Sequence, residues 1–228
     1  MELLYAGKTK NVYRLDSGAL QLQFKDDVTG TEGVFDPAAK SVLKKIPGAA
    51  LSSLNLSAYY FKKLNAIDVP THFISKDEEQ ATLTVKDTKS FGTNGLDVIV
   101  RFRAIGTFEE RYNDFVEHGE ELDSLTEMVL KDAFEERPPI DGDTMEALHI
   151  MSKKDYVYIR QQAQDIAEFI RMDLAKKGLE LYDIKFEFGR DTTTNDILLI
   201  NEISANSMHV YDGNSLINPI QLEKILLK

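Results

Sequence analysis

The stretch "ELYDIKFEFGRDTTTNDILLINEISANSMHVYDG", residues 180–213, decides the predicted fold. Its first part alternates between apolar and polar side chains, with Tyr182, Ile184, Phe186 and Phe188 on one side and Asp183, Lys185 and Glu187 on the other. That period of two predicts a β-strand with one buried face. A second strand then leads into a polar cluster made of Asn201, Glu202 and Asn206. The hairpin is therefore either a solvated sheet face or the floor of an active site.

Strand patterns dominate the sequence before this hairpin. Short strands are predicted at "ELLYA", "NVYRL" and "ALQLQF", separated by the turns "GKTK" and "DSG", and again at "VPTHFI" and "ATLTVK". The strand "LDVIVRFRAIG" places Val98, Val100 and Phe102 opposite Ile99, Arg101 and Arg103. A β-rich start followed by mixed elements predicts an α+β fold with antiparallel sheets in two lobes, not a doubly wound parallel sheet.

Helices are predicted in four places. Residues 51–64 repeat apolar side chains at spacings of three and four, and "TFEERYNDFVEHG" predicts a short helix that ends at Gly119. A long helix begins at Ser152, whose hydroxyl with Asp155 forms a capping pattern, and ends at Gly178. The segment "PIQLEKILL" predicts a last helix, whereas "KDAFEERPPIDGD", residues 131–143, predicts an extended loop.

Composition excludes several classes of protein. The 228 residues carry a net charge of −11, which argues against nucleic-acid or membrane-surface partners. Without Cys the chain has no disulfide and no thiol nucleophile. It has no apolar run of the roughly 18–20 residues that a membrane span needs, and "MELLYAGKTK" lacks the features of a signal peptide. We therefore expect a cytoplasmic protein that acts on small molecules.

The turn "AGKTKNVY", residues 6–13, is the first candidate binding segment. Gly7 permits close approach of a ligand to the backbone, and Lys8 and Lys10 bring two ammonium groups that suit a polyphosphate. The segment is not a Walker A loop, because it lacks the earlier glycine and the strand-to-helix context of that motif. The alternative is a hairpin with two solvated lysines.

The segment "RFRAIGTFEER", residues 101–111, is the second candidate. Arg101 and Arg103 lie on one strand face, and Gly106, Thr107 and Arg111 follow at the start of a helix. Such a set can hold a phosphate through charge-assisted hydrogen bonds. The alternative is that these arginines pair with the many acidic side chains of the protein.

The hairpin itself is the third candidate. Glu187 and Asn201 offer oxygen atoms on consecutive strands, which suits Mg²⁺ because that ion takes few protein ligands beside phosphate and water. Lys185 lies two residues before Glu187, on the same face and about 7 Å away along the strand. The strand register is open at this point, so Glu202 is a rival for Asn201. The alternative is a solvent-facing Lys–Glu pair.

Taken together and in this order, these segments resemble the SAICAR synthetase family, the phosphoribosylaminoimidazole-succinocarboxamide synthases. The resemblance rests on "YAGKTKNVY", "VPTHF", "VRFRAIGTFEERY", "LYDIKFEFG" and "INEISANSMHVYD". It implies a two-lobed fold related to ATP-grasp enzymes and protein kinases, with ATP in a cleft between the lobes. The implied lobes are a β-rich ATP-binding lobe, residues 1–85, and an α+β lobe with the substrate and metal residues, residues 86–228.

The resemblance also implies a reaction and roles for single residues. The reaction joins the carboxylate of CAIR, carboxyaminoimidazole ribotide, to the amine of L-aspartate at the expense of ATP. The implied roles are ATP binding by Gly7, Lys8, Lys10 and Lys86, catalysis by Lys185 and Glu187, Mg²⁺ binding by Glu187 and Asn201, and substrate binding by Arg101, Thr107, Arg111 and His209. A homodimer is a further expectation.

Several positions depart from the family pattern. Asn201 stands where the family has a metal-binding Asp, and Ala205, Asn206 and His209 replace Pro, Asp and Arg. Arg137 replaces an Asp before a proline, and "IPGAAL" lacks a Lys after its Gly. Two alternatives to the family reaction therefore stay open: a related ligase for a different amine or acid, and a nucleotide-binding protein without catalysis.

Overall fold

A computed structural model describes residues 1–31, 34–37, 39, 41–131 and 138–227. Its strands are β1 (Glu2–Ala6), β2 (Lys10–Arg14), β3 (Leu20–Phe24), β4 (Asp27–Thr31), β5 (Val34–Phe35), β6 (Val42–Lys45), β7 (Phe73–Asp77), β8 (Thr82–Val85), β9 (Thr88–Ser90), β10 (Leu96–Arg103), β11 (Glu121–Leu130), β12 (Glu180–Asp191), β13 (Ile197–Ile200), β14 (Met208–Asp212) and β15 (Ser215–Leu216). Its helices are α1 (Ala49–Asn65), α2 (Gly106–Tyr112), α3 (Gly142–Ala147), α4 (Lys153–Ala175) and α5 (Pro219–Leu227).

The first sheet has the strand order β1-β2-β3-β8-β7, and every pairing in it is antiparallel. The turn between β1 and β2 is closed by Gly7 N–H, which donates to the Lys10 carbonyl at 2.9 Å. A Cβ on Gly7 would lie 2.7 Å from that same oxygen, so only glycine fits this turn. The side chains of α1 that are buried, such as Leu54 and Phe61, belong to the same apolar core as Leu22 and Leu83 of this sheet.

The second sheet is built around β12, which pairs with β10, β13, β14 and β9. Its path runs β11-β10-β12-β14-β15, and its pairings are antiparallel. The helix α4 packs against β10, β11 and β12. Its apolar stripe, which is buried, consists of Ile159, Ala163, Ile166, Ile170 and Leu174. The α+β class with antiparallel sheets is thus confirmed. A small third sheet has the order β5-β4-β6.

The register of β10 against β12 explains why polar side chains collect on one sheet face. Asp97 pairs with Glu187, Ile99 with Lys185, and Arg101 with Asp183. Side chains two residues apart on a strand point to the same face, so these pairs form one row along the sheet. The row carries the predicted catalytic residues near one end and Arg101 at the other.

Two local predictions need correction. Tyr182 does not share the buried side with Ile184, because the register of β12 against β14 shifts between Leu181 and Asp183 and places Leu181 in the core instead. The helix α2 ends at Tyr112, not at Gly119; the N–H of Gly119 donates to the Ala104 carbonyl at 2.8 Å and closes the loop back onto β10.

Several elements are absent from the sequence-based prediction, among them β11 and α3. The strand β11 was missed because exposed charged residues interrupt its apolar pattern and Ser124 has a positive φ of 45°. The helix α3 occupies the end of the predicted loop and is capped by Asp141, whose side chain accepts from the Thr144 N–H. Arg137 and the rest of residues 132–137 lie outside the described residues.

The two predicted lobes correspond in sequence to the first two sheets, but their boundary between residues 85 and 86 stays a prediction. The helices α1 and α5 pack against each other, and the buried apolar residues form one continuous core through both parts. Among the helices that the structure describes, none combines the length and the apolar character needed to cross a membrane.

Candidate active site

A cavity of about 760 Å³ lies between the first and second sheets. Eight of the residues singled out from the sequence line it: Gly7, Lys8, Lys10, Lys185, Glu187, Asn201, Glu202 and Asn206. Its wall also has an apolar part, formed by Val12, Leu20, Leu22, Val85 and Ile200. The cavity therefore combines a cation-rich end with an apolar slot. A second cavity of about 500 Å³ is lined by Arg103 of the second candidate segment and by Arg171, but by none of the residues to which the resemblance gives a role.

Lys10 is held across the cavity by Glu202. Its Nζ lies 2.5 Å from Oε1 of Glu202, and the Ser204 hydroxyl donates to the other carboxylate oxygen at 2.5 Å. Burial raises the pKa of Glu202, but Lys10 and Ser204 outweigh it and the pKa is lowered overall. Glu202 is therefore the ionised partner of Lys10. The alternative in which Glu202, instead of Asn201, joins Glu187 as the second metal ligand is not the arrangement found.

Glu187 and Asn201 are brought together by the β12–β13 hairpin. The Asn201 side-chain amide donates to a Glu187 oxygen, although the backbone partner of Glu187 is Ile200. Asn201 follows β13 directly with a positive φ of 74°, a conformation that Asn tolerates better than most residues. This left-handed residue ends the strand and turns its side chain toward Glu187.

Two residues missed from the sequence complete this corner. Lys131 Nζ contacts Glu187 and lies 3.3 Å from Oδ1 of Asp97, while Lys185 Nζ lies 3.9 Å from Oδ2 of Asp97. Burial lowers the pKa of Lys131, but the attraction of Glu187 and Asp97 outweighs it and the pKa is raised overall, so this ammonium is charged at neutral pH. The spacing of Asp97 from Ile99 and Arg101 could have placed it on this face; Lys131 follows a strand that the sequence did not predict.

The oxygen atoms at this corner suit a magnesium ion. Two carboxylates, Asp97 and Glu187, and the amide of Asn201 are hard ligands of the kind that Mg²⁺ prefers. The Lys131 ammonium already stands between the two carboxylates, so the position is one that favours a cation. No cluster of three or more His, Cys, Asp or Glu suited to a metal occurs in the described residues, so the protein would share such an ion with substrate oxygens.

The substrate-binding candidates form a second group outside the cavity wall. Arg101 Nε donates to Glu127 at 2.9 Å, its NH1 to Asp183 at 2.9 Å and its NH2 to the Thr107 hydroxyl at 3.2 Å. Its side chain is only 3% exposed. The ion-pair alternative considered for this arginine is therefore what the structure contains. Arg111 also contacts Glu127, but it and Thr107 are exposed at the surface.

His209 joins this group through Asp183. Its Nδ1 lies 2.6 Å from one oxygen of Asp183, and its Nε2 lies 3.1 Å from Asp36. Burial lowers the pKa of His209, but the two carboxylates outweigh it and raise the pKa to about 9. His209 is thus an imidazolium at neutral pH and supplies a positive charge at the position where the family pattern has Arg. Arg103 pairs elsewhere, with Glu180 and Glu121.

His72 is a further residue of the cavity wall, and no sequence motif pointed to it as a functional residue. It is 3% exposed, and its Nε2 has no hydrogen-bond partner among the residues that the structure describes. Burial lowers its pKa to about 3, and the nearby Lys10 and Lys86 act in the same direction. Lys86 itself lies outside the cavity wall, with Nζ 3.7 Å from Asp191. Its predicted role in ATP binding stays a prediction.

Comparison of the sequence and the fold with known proteins points to one family. A model of the SAICAR synthetase family matches residues 3–224. The phosphoribosylaminoimidazole-succinocarboxamide synthase of Clostridium tetani is 43% identical over 228 residues, which is 100% of both chains. That of Streptococcus pneumoniae serotype 2 is 30% identical over 217 residues, 93% of this chain and 86% of its own. A solved structure described as SAICAR synthetase (Type-2) in complex with ADP superposes with a TM-score of 0.80 at 29% identity, over 92% of this chain and 84% of the other.

Proposed function

Because this chain belongs to the SAICAR synthetase family, we propose that its cavity is the active site of an ATP-dependent ligase of purine biosynthesis. The reaction forms an amide between the carboxylate of CAIR and the amine of L-aspartate, and it converts ATP to ADP and phosphate. The chain is 43% identical to a phosphoribosylaminoimidazole-succinocarboxamide synthase over the full length of both chains. This likeness favours the proposed reaction over a ligase for other substrates and over a protein without catalysis.

The observation that carries the proposal is the convergence of cations and metal-type ligands in one cavity. The lysines of the β1–β2 turn approach from the first sheet, whereas Glu187, Asn201 and Lys185 approach from the second. A nucleotide triphosphate needs both, because its charge must be neutralised before a phosphoryl group can be transferred. Neither a solvated hairpin nor a plain sheet face would enclose these groups together.

The apolar slot suits the base of the nucleotide. Val12, Leu20 and Leu22 of the first sheet face Ile200 of the second across the cavity, and a flat purine ring buries well between such side chains. Lys8 and Lys10 lie at the same wall, and we place them at the phosphates. Gly7 keeps the turn backbone close enough for its N–H groups to take part.

Magnesium would be held by Glu187 and Asn201, and it would supply charge neutralisation at the phosphate oxygens. Its presence belongs to the proposal and is supported by the oxygen ligands of this corner. Lys185 lies two residues before Glu187 on β12, so the two side chains share one face of the strand. We assign its ammonium to orienting the reacting carboxylate and to stabilising the negative charge on the oxygens of the transferred phosphoryl group.

The chemistry has two steps. An oxygen of the CAIR carboxylate attacks the terminal phosphorus of ATP, the bond to ADP breaks, and the carboxylate becomes a mixed anhydride with phosphate. The aspartate amine then attacks this carbonyl, the phosphate leaves with the bridging oxygen, and the nitrogen gives up one proton. The anhydride is required because the oxygen of a free carboxylate is a poor leaving group.

The second group of residues would bind the acidic substrates. Arg111 and Thr107 are exposed beside buried Arg101, and His209 carries a positive charge. Arg101 and Asp183 lie four residues from Asp97 and Glu187, which corresponds to about 13 Å along the strands. That distance suits a ribotide whose phosphate lies at one end and whose carboxylate lies at the other. We assign Arg101 to positioning, since its donors are already bonded within the protein.

The cellular location and the class of partners that we propose rest on the amino-acid composition. The charge of −11 and the lack of Cys support a cytoplasmic protein with small-molecule substrates and without nucleic-acid or membrane partners. The two lobes, residues 1–85 and 86–228, would enclose the ATP cleft, and a homodimer stays a prediction.

The proposed function is tested by ADP release from ATP with CAIR and a panel of amines. ADP that appears only with aspartate supports it. Release with another amine or acid would favour the related ligase, and tight ATP binding without turnover on any pair would favour the protein without catalysis.

A further inference from the structure

We propose that Asp97 is a third protein ligand of the Mg²⁺ ion and that the Lys131 ammonium occupies the metal position while no nucleotide is bound. This inference rests on the proposed ATP- and Mg²⁺-dependent function. It assigns a role to two residues that neither the motifs nor the resemblance singled out.

The first support is the register of the second sheet. Asp97 and Glu187 are Cα partners on β10 and β12, and their side chains lie on the same face. Cβ atoms of directly paired residues lie about 5 Å apart, a distance at which two carboxylates repel each other. A pair of this kind persists when a cation lies between the two groups. The backbone thus sets Asp97 as close to the ion as Glu187.

The second support is the state of the Asp97 carboxylate. Asp97 is 7% exposed and lines the cavity, and within the described part of the chain its Oδ1 accepts no well-formed hydrogen bond although Lys131 Nζ is 3.3 Å away. Buried polar oxygens in proteins are nearly always hydrogen-bonded or bound to an ion. An unsatisfied buried oxygen in a nucleotide-type cavity therefore has coordination capacity to spare.

The third support is the position of Lys131. Its Nζ contacts Glu187 as well as Asp97, yet its side chain remains 26% exposed. Its backbone N–H donates to the carbonyl of Gly95 at 3.0 Å, which anchors the residue at the cavity edge while leaving the side chain able to change rotamer. The ammonium can therefore leave without disturbing the sheet.

Exchange of the two cations follows from charge. The two carboxylates carry two negative charges; the Lys131 ammonium contacts both, and the Lys185 ammonium lies at the longer distance of 3.9 Å from Asp97. A divalent ion brings two charges to the position where Lys131 brings one, and it prefers oxygen ligands. Once displaced, the Lys131 ammonium lies at the cavity wall, where phosphate oxygens of a nucleotide would accept its hydrogen bonds. The metal and the nucleotide thus enter together, and the protein alone binds the metal weakly.

The test measures binding of Mn²⁺, as a spectroscopic substitute for Mg²⁺, to the nucleotide-free protein by the electron paramagnetic resonance of the free ion. Lys131→Met should tighten Mn²⁺ binding by about tenfold or more, because the competing ammonium is gone. Lys131→Arg, the matched control, should give no gain. Asp97→Asn combined with Lys131→Met should lose the gain. Unchanged Mn²⁺ affinity in Lys131→Met, or an undiminished gain in the double variant, would overturn the inference.

A second measurement decides the matter if Lys131→Met does not fold. In the otherwise unchanged protein with ADP present, Asp97→Asn should weaken Mn²⁺ binding by about tenfold, and equal affinity would contradict the role of Asp97. These outcomes are separate from those of the proposed function. Normal ADP release with CAIR and aspartate beside unchanged metal binding refutes only the inference, whereas the expected metal binding without ADP release on any substrate pair refutes the function.

Discussion

Lys10 and Glu202, 192 positions apart in the chain, form an ion pair of 2.5 Å across the cavity. The lysine comes from the turn of the first sheet, and the glutamate follows the β12–β13 hairpin of the second. Because the Glu202 side chain is 4% exposed, its charge depends on this partner. The same contact therefore fixes the two sheets relative to each other and sets the position of a lysine that we assign to ATP.

Lys8→Ala and Lys10→Ala should both weaken ATP binding, by about 1.5–3 kcal/mol for each lost charge-assisted contact. Only Lys10→Ala should also lower the free energy of unfolding, by about 3–5 kcal/mol, because it leaves Glu202 buried without a cation. Calorimetry with ATP and denaturant titration measure the two effects. Glu202→Gln in the Lys10→Ala background is the control and should recover stability but not affinity. Unchanged ATP affinity in both single variants would return these lysines to the solvated-hairpin alternative.

The stability of the protein should depend on pH through His209. Its pKa is raised to about 9 in the folded protein from an ordinary 6.5, so the folded state holds a proton that the unfolded state releases. This contribution is fully present below about pH 6.5 and is lost as the pH rises through about 9; it is on the order of 3 kcal/mol. Denaturant titrations between pH 6 and 9.5 measure it. His209→Gln should flatten this slope, and an unchanged slope would refute the assigned pKa.

Arg101→Ala should destabilise the protein by about 3 kcal/mol, because the buried acids Glu127 and Asp183 would lose their shared cation and keep only Arg111 and His209 as partners. The exposed Arg111 is the better probe of substrate binding. Arg111→Ala should raise the Michaelis constant for the ribotide far more than the constants for ATP or aspartate, since it removes a phosphate contact. Steady-state kinetics with each substrate varied in turn separate these constants. A loss confined to ATP would contradict the placement of Arg111.

Asn201→Asp and Glu187→Gln should shift the magnesium requirement in opposite directions. Aspartate would restore a charged ligand at a left-handed position that it tolerates, so half-maximal ATP turnover should need less Mg²⁺. Glu187→Gln should raise the requirement because it removes a charged ligand. Glu202→Gln is the comparison variant: its carboxylate is paired with Lys10, so it should not reproduce the Glu187→Gln shift. A magnesium titration in which Glu187→Gln behaves as the unmodified protein would refute the metal site.

Local sequence patterns were sufficient where the interactions are local. The alternation in β10 and the capping of α4 by Ser152 were predictable, because both depend on neighbours within a few residues. The family resemblance added the pairing of Glu187 with Asn201, whose register the pattern alone left open. These parts of the fold and the site could be predicted from the sequence.

Long-range pairing accounts for what was missed. The shift between Leu181 and Asp183 arises in the match between β12 and β14 and leaves no mark in the alternation of β12. Asp97 and Lys131 become site residues only because β10, β11 and β12 lie side by side. The burial of Arg101 likewise follows from acids contributed by two other strands. Such features depend on tertiary contacts and become visible only in the structure.

The central claim, that this protein activates the CAIR carboxylate with ATP and transfers it to aspartate, is tested most directly by following oxygen. CAIR with both carboxylate oxygens labelled with oxygen-18 is incubated with the protein, ATP, Mg²⁺ and aspartate, and the products are analysed by mass spectrometry. The account predicts one labelled oxygen in the released phosphate for each SAICAR formed, with the other retained in the amide. Unlabelled phosphate, or no amide product despite ADP release, would contradict it.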